Sequence, residues 1–261
     1  MGSSSLNPVF VGGTGRSGST IVGDLLDHHP AVTMTLPSEV RFITGNNGIA
    51  DALAKAGKPA GLKAAELAVD RIHNRWFFRD ENSGLHTSMS QEFVTETTDK
   101  YLAHFENSPQ QASQVLVYSI MEKVALGCDA ERWVDTTPAN ARKANLIAPI
   151  YPQHKVVVMV RDGRDVAASF VHQTFGPSDV FEAVALWEKR MIKSDQAVKR
   201  CEAGAVLTLD LQDLVVTERD ASVDLILEHC ELEDSREMRD WFKARVTPDG
   251  SHAGRWRRDF D

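Results

Sequence analysis

The chain of 261 residues is 42% hydrophobic and 25% charged, enough for one large globular domain or a core domain with an insertion. Its 37 acidic against 29 basic residues give a formal net charge of -8, which argues against a broad electrostatic grip on nucleic acid or anionic membrane and leaves room for a local basic pocket. The longest aliphatic run, Val156 to Val160, is far too short to span a bilayer, and the polar start MGSSSLNP lacks signal-peptide character, so a soluble cytoplasmic protein is expected. Cys128, Cys201 and Cys230 are odd in number, widely spaced and without any CxxC, which predicts reduced thiols rather than a disulfide framework or a zinc site.

In chain order, Val9 to Gly12 reads as a buried strand that runs through a glycine-rich turn into a helix over Ser19 to Asp27. Further strands are expected at Val32 to Thr35, Trp133 to Asp135, Lys155 to Val160 and Ala205 to Leu209; the runs VVVMV and VLTL are nearly continuous hydrophobics, as in parallel strands covered on both faces. Helices are expected at Ala139 to Ile150, Arg164 to His172, and Ser178 to about Cys201, where Phe181, Val184, Trp187 and Met191 form a stripe that reads as core packing. Between Arg41 and Glu131 no strand pattern stands out, only helices broken at GNNG, AGKPAG, ENSG and ENSPQ. The fold class is therefore α/β: a three-layer P-loop-type parallel sheet of about five strands in a single domain over 1–261, with a helical, substrate-shaping insertion at about 44–131.

Two stretches carry chemistry. In GGTGRSGST the glycines let backbone amides turn inward, the following helix adds its positive N-terminal dipole, and Arg16 places a cation in the loop. Gly13 and Gly18 have P-loop spacing, yet where that motif carries Lys before Ser or Thr this chain has Ser19 and Thr20. In MVRDGRDVAASF a strand delivers Arg161 to its carboxyl end and the next helix carries Ser169, a forked donor and a hydroxyl suited to a phosphate monoester. Alternatively, Arg161 pairs with Asp162 or Asp165. Two anion grips on one sheet edge point to a ligand with phosphates at two separate places.

These blocks resemble the sulfotransferases that use 3'-phosphoadenosine-5'-phosphosulfate (PAPS). The resemblance implies that Gly13, Thr14, Gly15, Arg16, Ser17, Gly18, Ser19 and Thr20 hold the 5'-phosphosulfate and that Arg161 and Ser169 hold the 3'-phosphate. The P-loop block with LPSEVRFI looks most like the tyrosylprotein and heparan sulfate sulfotransferases, which implies Glu39 as the catalytic base and Arg16 as the catalytic cation. Arg41 orients Glu39, contacts an anionic acceptor, or forms a structural ion pair. In VDTTPAN, Thr136 stands where many members carry Lys; the tail SHAGRWRRDF is similar to the family's segment that closes over the 3'-phosphate, which implies Ser251 and Arg255. The catalytic histidine of the cytosolic aryl and steroid enzymes is missing, so His28, His29, His154 and His172 read as ordinary polar residues.

The implied activity is transfer of the sulfuryl group of PAPS to a hydroxyl of a small-molecule acceptor such as a sugar, phenol or natural product. It releases 3'-phosphoadenosine-5'-phosphate (PAP) and needs no metal. Two alternatives stand beside it: a P-loop kinase using Asp135 or Asp162 for magnesium, and a non-catalytic PAP-binding protein, suggested by Thr136.

Overall fold

The computed structural model describes residues 7–35, 37–126, 130–248, 250 and 252–259. Along the chain run β1 (Val9–Gly13), α1 (Ser19–Asp27), β2 (Val32–Met34), α2 (Ile49–Leu53), α3 (Gly61–Arg71), α4 (Gln91–Phe105) and α5 (Pro109–Leu126). There follow β3 (Arg132–Asp135), α6 (Ala139–Arg142), β4 (Lys155–Val160), α7 (Gly163–Phe170), α8 (Val180–Val198), β5 (Val206–Asp210), α9 (Arg219–Cys230), α10 (Arg236–Arg245) and α11 (Trp256–Asp259).

The five strands form one sheet in the order β2-β3-β1-β4-β5, and every pairing is parallel. Because side chains alternate along a strand, the sheet buries both faces. Phe10, Trp133, Val156 and Val158 enter a core built with α2 to α5, while Val9, Val11, Val134, Val157 and Met159 enter a second core under α1, α9 and α10. This is the expected three-layer α/β arrangement, and it brings the carboxyl ends of all five strands to one edge.

Among the described residues between β2 and β3 the regular structure is helical, with one isolated bridge between Asp80 and Ser83. The expected helix from Ala139 to Ile150 is broken: α6 stops at Arg142, Lys143 leaves helical geometry at φ -127°, and a short 3-10 turn covers Ala144–Leu146. Lys143 is held there by its Nζ, which reaches Asp51 at 2.6 Å and donates to the Gly45 carbonyl at 3.0 Å. The stripe on α8 is corrected as well. Phe181 is 80% exposed and Val184 37%, whereas Ala183, Ser194 and Ala197 form the buried face. Small residues let α8 lie close to its neighbours, and Trp187 packs so tightly on Gly163 that a Cβ there would sit 2.7 Å from the indole.

Gly12 makes the closest main-chain approach in the sheet. A Cβ on it would lie 2.2 Å from the backbone nitrogen of Ala141, so β1 and α6 touch main chain to main chain. Gly12→Ala is expected to lower the unfolding free energy by about 1–3 kcal/mol in a urea titration; unchanged stability would show that α6 yields freely.

Candidate active site at the carboxyl edge of the sheet

Between β1 and α1 the loop turns through left-handed geometry at Gly15 (φ 84°), Arg16 (φ 58°) and Gly18 (φ 90°). Glycine adopts this readily; arginine does so at some cost and needs fixing from outside the loop. That fixing is present: Arg16 Nε donates to Ser169 Oγ at 2.9 Å, and the Arg16 carbonyl accepts from Arg161 Nη1 at 3.1 Å. Ser169 comes from α7 and Arg161 from the end of β4, so the two expected anion grips are joined directly. Among the described residues no acceptor meets the backbone N–H groups of Thr14, Gly15, Arg16 or Ser17. The Ser17 hydroxyl is buried without a hydrogen-bond partner. It lies so close to Gly13 that a Cβ there would fall 2.1 Å from Ser17 Oγ. Ser19 and Thr20 open α1, where the first-turn amides add donors.

Arg161 is half-buried. Burial and then the nearby Arg16 and Arg255 cations push its pKa down against the pull of Asp165. The expected pairing with Asp162 is absent, because Asp162 accepts the Arg164 N–H at 2.8 Å as the cap of α7 and pairs with the Arg164 guanidinium. Asp165 lies 3.9 Å from Arg161 Nη2 and has other partners: its buried carboxylate accepts the backbone N–H of Gly254 at 2.8 Å and of Trp256 at 3.1 Å. Arg161 Nη2 donates to the His252 carbonyl at 3.0 Å. The segment 252–259 is thus strapped over β4 and α7, with Arg164 stacked on the Trp256 ring at 4.1 Å. Arg255 sits in the strap, its Nε 2.6 Å from Asp259; Ser251 lies outside the described residues.

The second half of the site is built at the end of β3. Asp135, fully buried, accepts at Oδ1 from the Val40 N–H at 3.0 Å, the Thr137 N–H at 3.2 Å and the Thr137 hydroxyl at 2.8 Å. Its Oδ2 accepts from Asn140 Nδ2 at 2.9 Å, and the same amide reaches the Val11 carbonyl on β1 at 3.1 Å. Thr136 donates to the Ser38 carbonyl through both its N–H, at 2.7 Å, and its hydroxyl, at 2.8 Å. Glu39 is therefore bracketed: β3 grips the carbonyl before it and the amide after it. The Glu39 side chain retains 29% exposure, and its Oε2 takes both Nε and Nη2 of Arg41, which leaves Oε1 outside the ion pair. Thr136, 1% exposed and packed on Gly23 of α1, acts as scaffold at the position where the resemblance places a lysine.

His28 stacks on Trp241, His29 bonds the Glu233 carbonyl, His154 bonds the Pro152 carbonyl and His172 reaches Asp259. A cavity of about 340 Å³ between α4 and α5, lined by Thr97, Lys100, Tyr101, His104 and Leu116 among others, shares no residue with the loop. No helix among the described residues is long and apolar enough to cross a membrane.

The profile of the sulfotransferase family matches residues 8–236, a span from β1 to the start of α10. The chain belongs to the sulfotransferase family. No match was found among curated proteins. Three sulfotransferase structures share the fold. The sulfotransferase domain of the Synechococcus PCC 7002 olefin synthase is 18% identical, with 97% of this chain and 88% of that one covered and a TM-score of 0.53. For sulfotransferase STF1 of Mycobacterium tuberculosis H37Rv the values are 19%, 98%, 76% and 0.52, and for the domain from the curacin biosynthetic pathway 15%, 89%, 76% and 0.51.

The structure brings the loop, Arg161 and Ser169 named from the sequence into contact and fixes the backbone around Glu39, while the scaffold roles of Asp135, Asn140 and Asp165 were not read from the sequence. The signal for the first two lay in VDTTPAN itself, a carboxylate and an amide bracketing a turn after a strand. Burial pushes the Asp135 pKa up to about 6 against its four hydrogen bonds. A raised carboxyl pKa means that the folded state binds the proton more tightly than the unfolded one, so this contribution to stability is full below about pH 4 and lost as pH rises through about 6. Asp135→Asn removes that dependence: its stability cost relative to wild type, about 1–3 kcal/mol for the mispaired buried amide, is expected to shrink between pH 4 and pH 6 in denaturant titrations. A cost independent of pH would place the titration elsewhere.

Proposed function

We propose that this sulfotransferase uses PAPS and transfers its sulfuryl group to a hydroxyl of a small-molecule acceptor, with PAP as the second product. The observation that carries the reading is the link from Arg16 Nε to Ser169 Oγ, backed by Arg161 on the Arg16 carbonyl. It makes one continuous surface from two anion grips, as a nucleotide with phosphates at both its 5' and 3' positions requires. The open loop amides and the partnerless Ser17 hydroxyl fit the phosphosulfate, and Arg161, Ser169 and Arg255 fit the 3'-phosphate.

PAPS supplies an activated sulfuryl group. In this reading the protein binds, orients and moves one proton. Gly13 to Thr20 hold the phosphosulfate and neutralise the charge that grows on its bridging oxygen, with Arg16 as the cation. Glu39 Oε1 takes the proton of the acceptor hydroxyl, while Arg41 on Oε2 fixes the orientation of the carboxylate. The clamps from Asp135 and Thr136 hold the backbone on either side of Glu39, so the base is presented without a search. This use of a glutamate is what the resemblance to the tyrosylprotein and heparan sulfate enzymes implies. A kinase needs a carboxylate free for magnesium, whereas the oxygens of Asp135 are taken by four hydrogen bonds and Asp162 by Arg164.

Two measurements test the reading. Titration calorimetry with PAP and with 5'-AMP, each with and without magnesium, is expected to favour PAP by on the order of 10², since two charge-assisted contacts contribute about 1.5–3 kcal/mol each. Equal or magnesium-dependent binding would remove the 3'-phosphate site and favour the kinase. Glu39→Gln is expected to cut turnover by about 10² to 10⁴ while leaving PAP affinity unchanged; full turnover in that variant would dismiss Glu39 as the base.

A further inference from the structure

The apolar stripe of α8 has no cover in the chain. With 3.6 residues per turn, Phe181, Val184, Ala185, Glu188 and Ile192 share an arc of about 100°, and that arc faces solvent, with Phe181 80% and Ile192 52% exposed. A surface helix ordinarily turns its large apolar residues inward. Here the inward side carries Ala183, Arg190, Ser194 and Ala197, roughly half a turn round from the stripe. That side already packs on α6 and α7 and, through Arg190, holds the Thr14 carbonyl of the phosphate loop. The outward stripe therefore belongs neither to the core nor to the site at the sheet edge. Single exposed apolar residues are ordinary, but a row along three turns of one helix marks a contact surface.

The charges beside the stripe indicate what covers it. Glu182, Lys189 and Lys193 lie together along one flank of the stripe. Among the described residues none of the three enters an ion pair, and neither does Glu188, whereas the neighbouring Asp195 pairs with Lys199 at 2.7 Å. Lys189 and Lys193 stand one turn apart, a like-charge spacing that disfavours the helix unless an acid arrives from outside. The acid at hand sits at the other end of the same flank.

We propose that α8 is the contact surface between two copies of this chain, packed antiparallel about a two-fold axis. This pairing sets Phe181 over Ile192 of the partner subunit and Ala185 over Glu188 of the partner subunit. Glu182 then falls between Lys189 of the partner subunit and Lys193 of the partner subunit, about 3 Å along the axis from each. The two-fold repeats that contact, so the whole flank is neutralised by its own copy. Glu188, nearest the axis, has Lys189 of the partner subunit one turn along. A parallel pairing would instead set acid on acid and lysine on lysine, which selects the antiparallel one. The interface is narrow, so the dimer is a weak one, dissociating on the order of 1–100 µM.

Sedimentation of the full chain over loading concentrations of about 1 to 300 µM tests this. Wild type is expected to pass from monomer to dimer, and Phe181→Ser with Ile192→Ser, both on the exposed face, to remain monomeric. Glu182→Lys makes the flank all basic, and Lys189→Glu with Lys193→Glu makes it all acidic. Each is expected to weaken self-association at least about tenfold, and an equimolar mixture of the two is expected to dimerise at least as well as wild type. A wild type that stays monomeric throughout overturns the inference; if that monomer floats with phosphatidylcholine vesicles, the stripe belongs to a lipid surface instead. A dimer indifferent to the Ser substitutions, or charge variants that fail to rescue one another, overturns it equally, since the contact would then lie elsewhere or pair otherwise. Circular dichroism of each variant separates lost pairing from lost folding.

Discussion

The carboxylate of Asp135 draws together parts of the chain that have nothing else in common. Val40 follows the edge strand β2, Thr137 sits in the turn after β3, and Asn140 begins α6 while also holding the Val11 carbonyl of β1. Placing one acidic group in the core carries a desolvation cost, and four donors offset it. What results is a fixed relation between the phosphate loop, which grows out of β1, and Glu39, which grows out of β2 on the far side of β3. Neither could be positioned by its own local sequence, since each stands in a loop.

Around that fixed point the charges are sorted by location. The carboxyl edge of the sheet gathers arginines from the loop, β4, α6 and α8 although the chain as a whole is acidic. Some of these cations are engaged by backbone carbonyls rather than by carboxylates, as Arg161 is by Arg16 and His252 and Arg190 by Thr14. A carbonyl orients a guanidinium without neutralising it, so the site keeps its positive field while staying rigid. Asp165 divides its labour: it accepts amides of the strap and also lies 3.9 Å from Arg161 Nη2, which it stabilises as a cation.

The parts legible in the sequence are those whose signal is local. A buried strand followed by glycines and a helix announces the loop, and an arginine with a serine eight residues later on a strand-to-helix turn announces the second grip. The stripe of Phe181, Val184, Trp187 and Met191 misled because periodicity marks a face without saying which face is buried; the small side chains of Ala183, Ser194 and Ala197 decide that here. Asp135 was ambiguous for a related reason, since a carboxylate after a strand looks the same whether metal or amides surround it, and its donors come from residues 40, 137 and 140. Thr136 showed up only as a departure from the family pattern. Its task, holding Ser38 from 98 residues away, is a tertiary fact.

Arg161 places one hand on the carbonyl of Arg16 and the other on the carbonyl of His252. The strap and the phosphate loop are therefore not independent gates. Peeling segment 252–259 away from α7 strips a hydrogen bond from the side chain that steadies Arg16 in its left-handed turn, so a displaced strap leaves the loop less firmly held. In the PAPS reading proposed above, release of the nucleotide is therefore coupled to release of the strap.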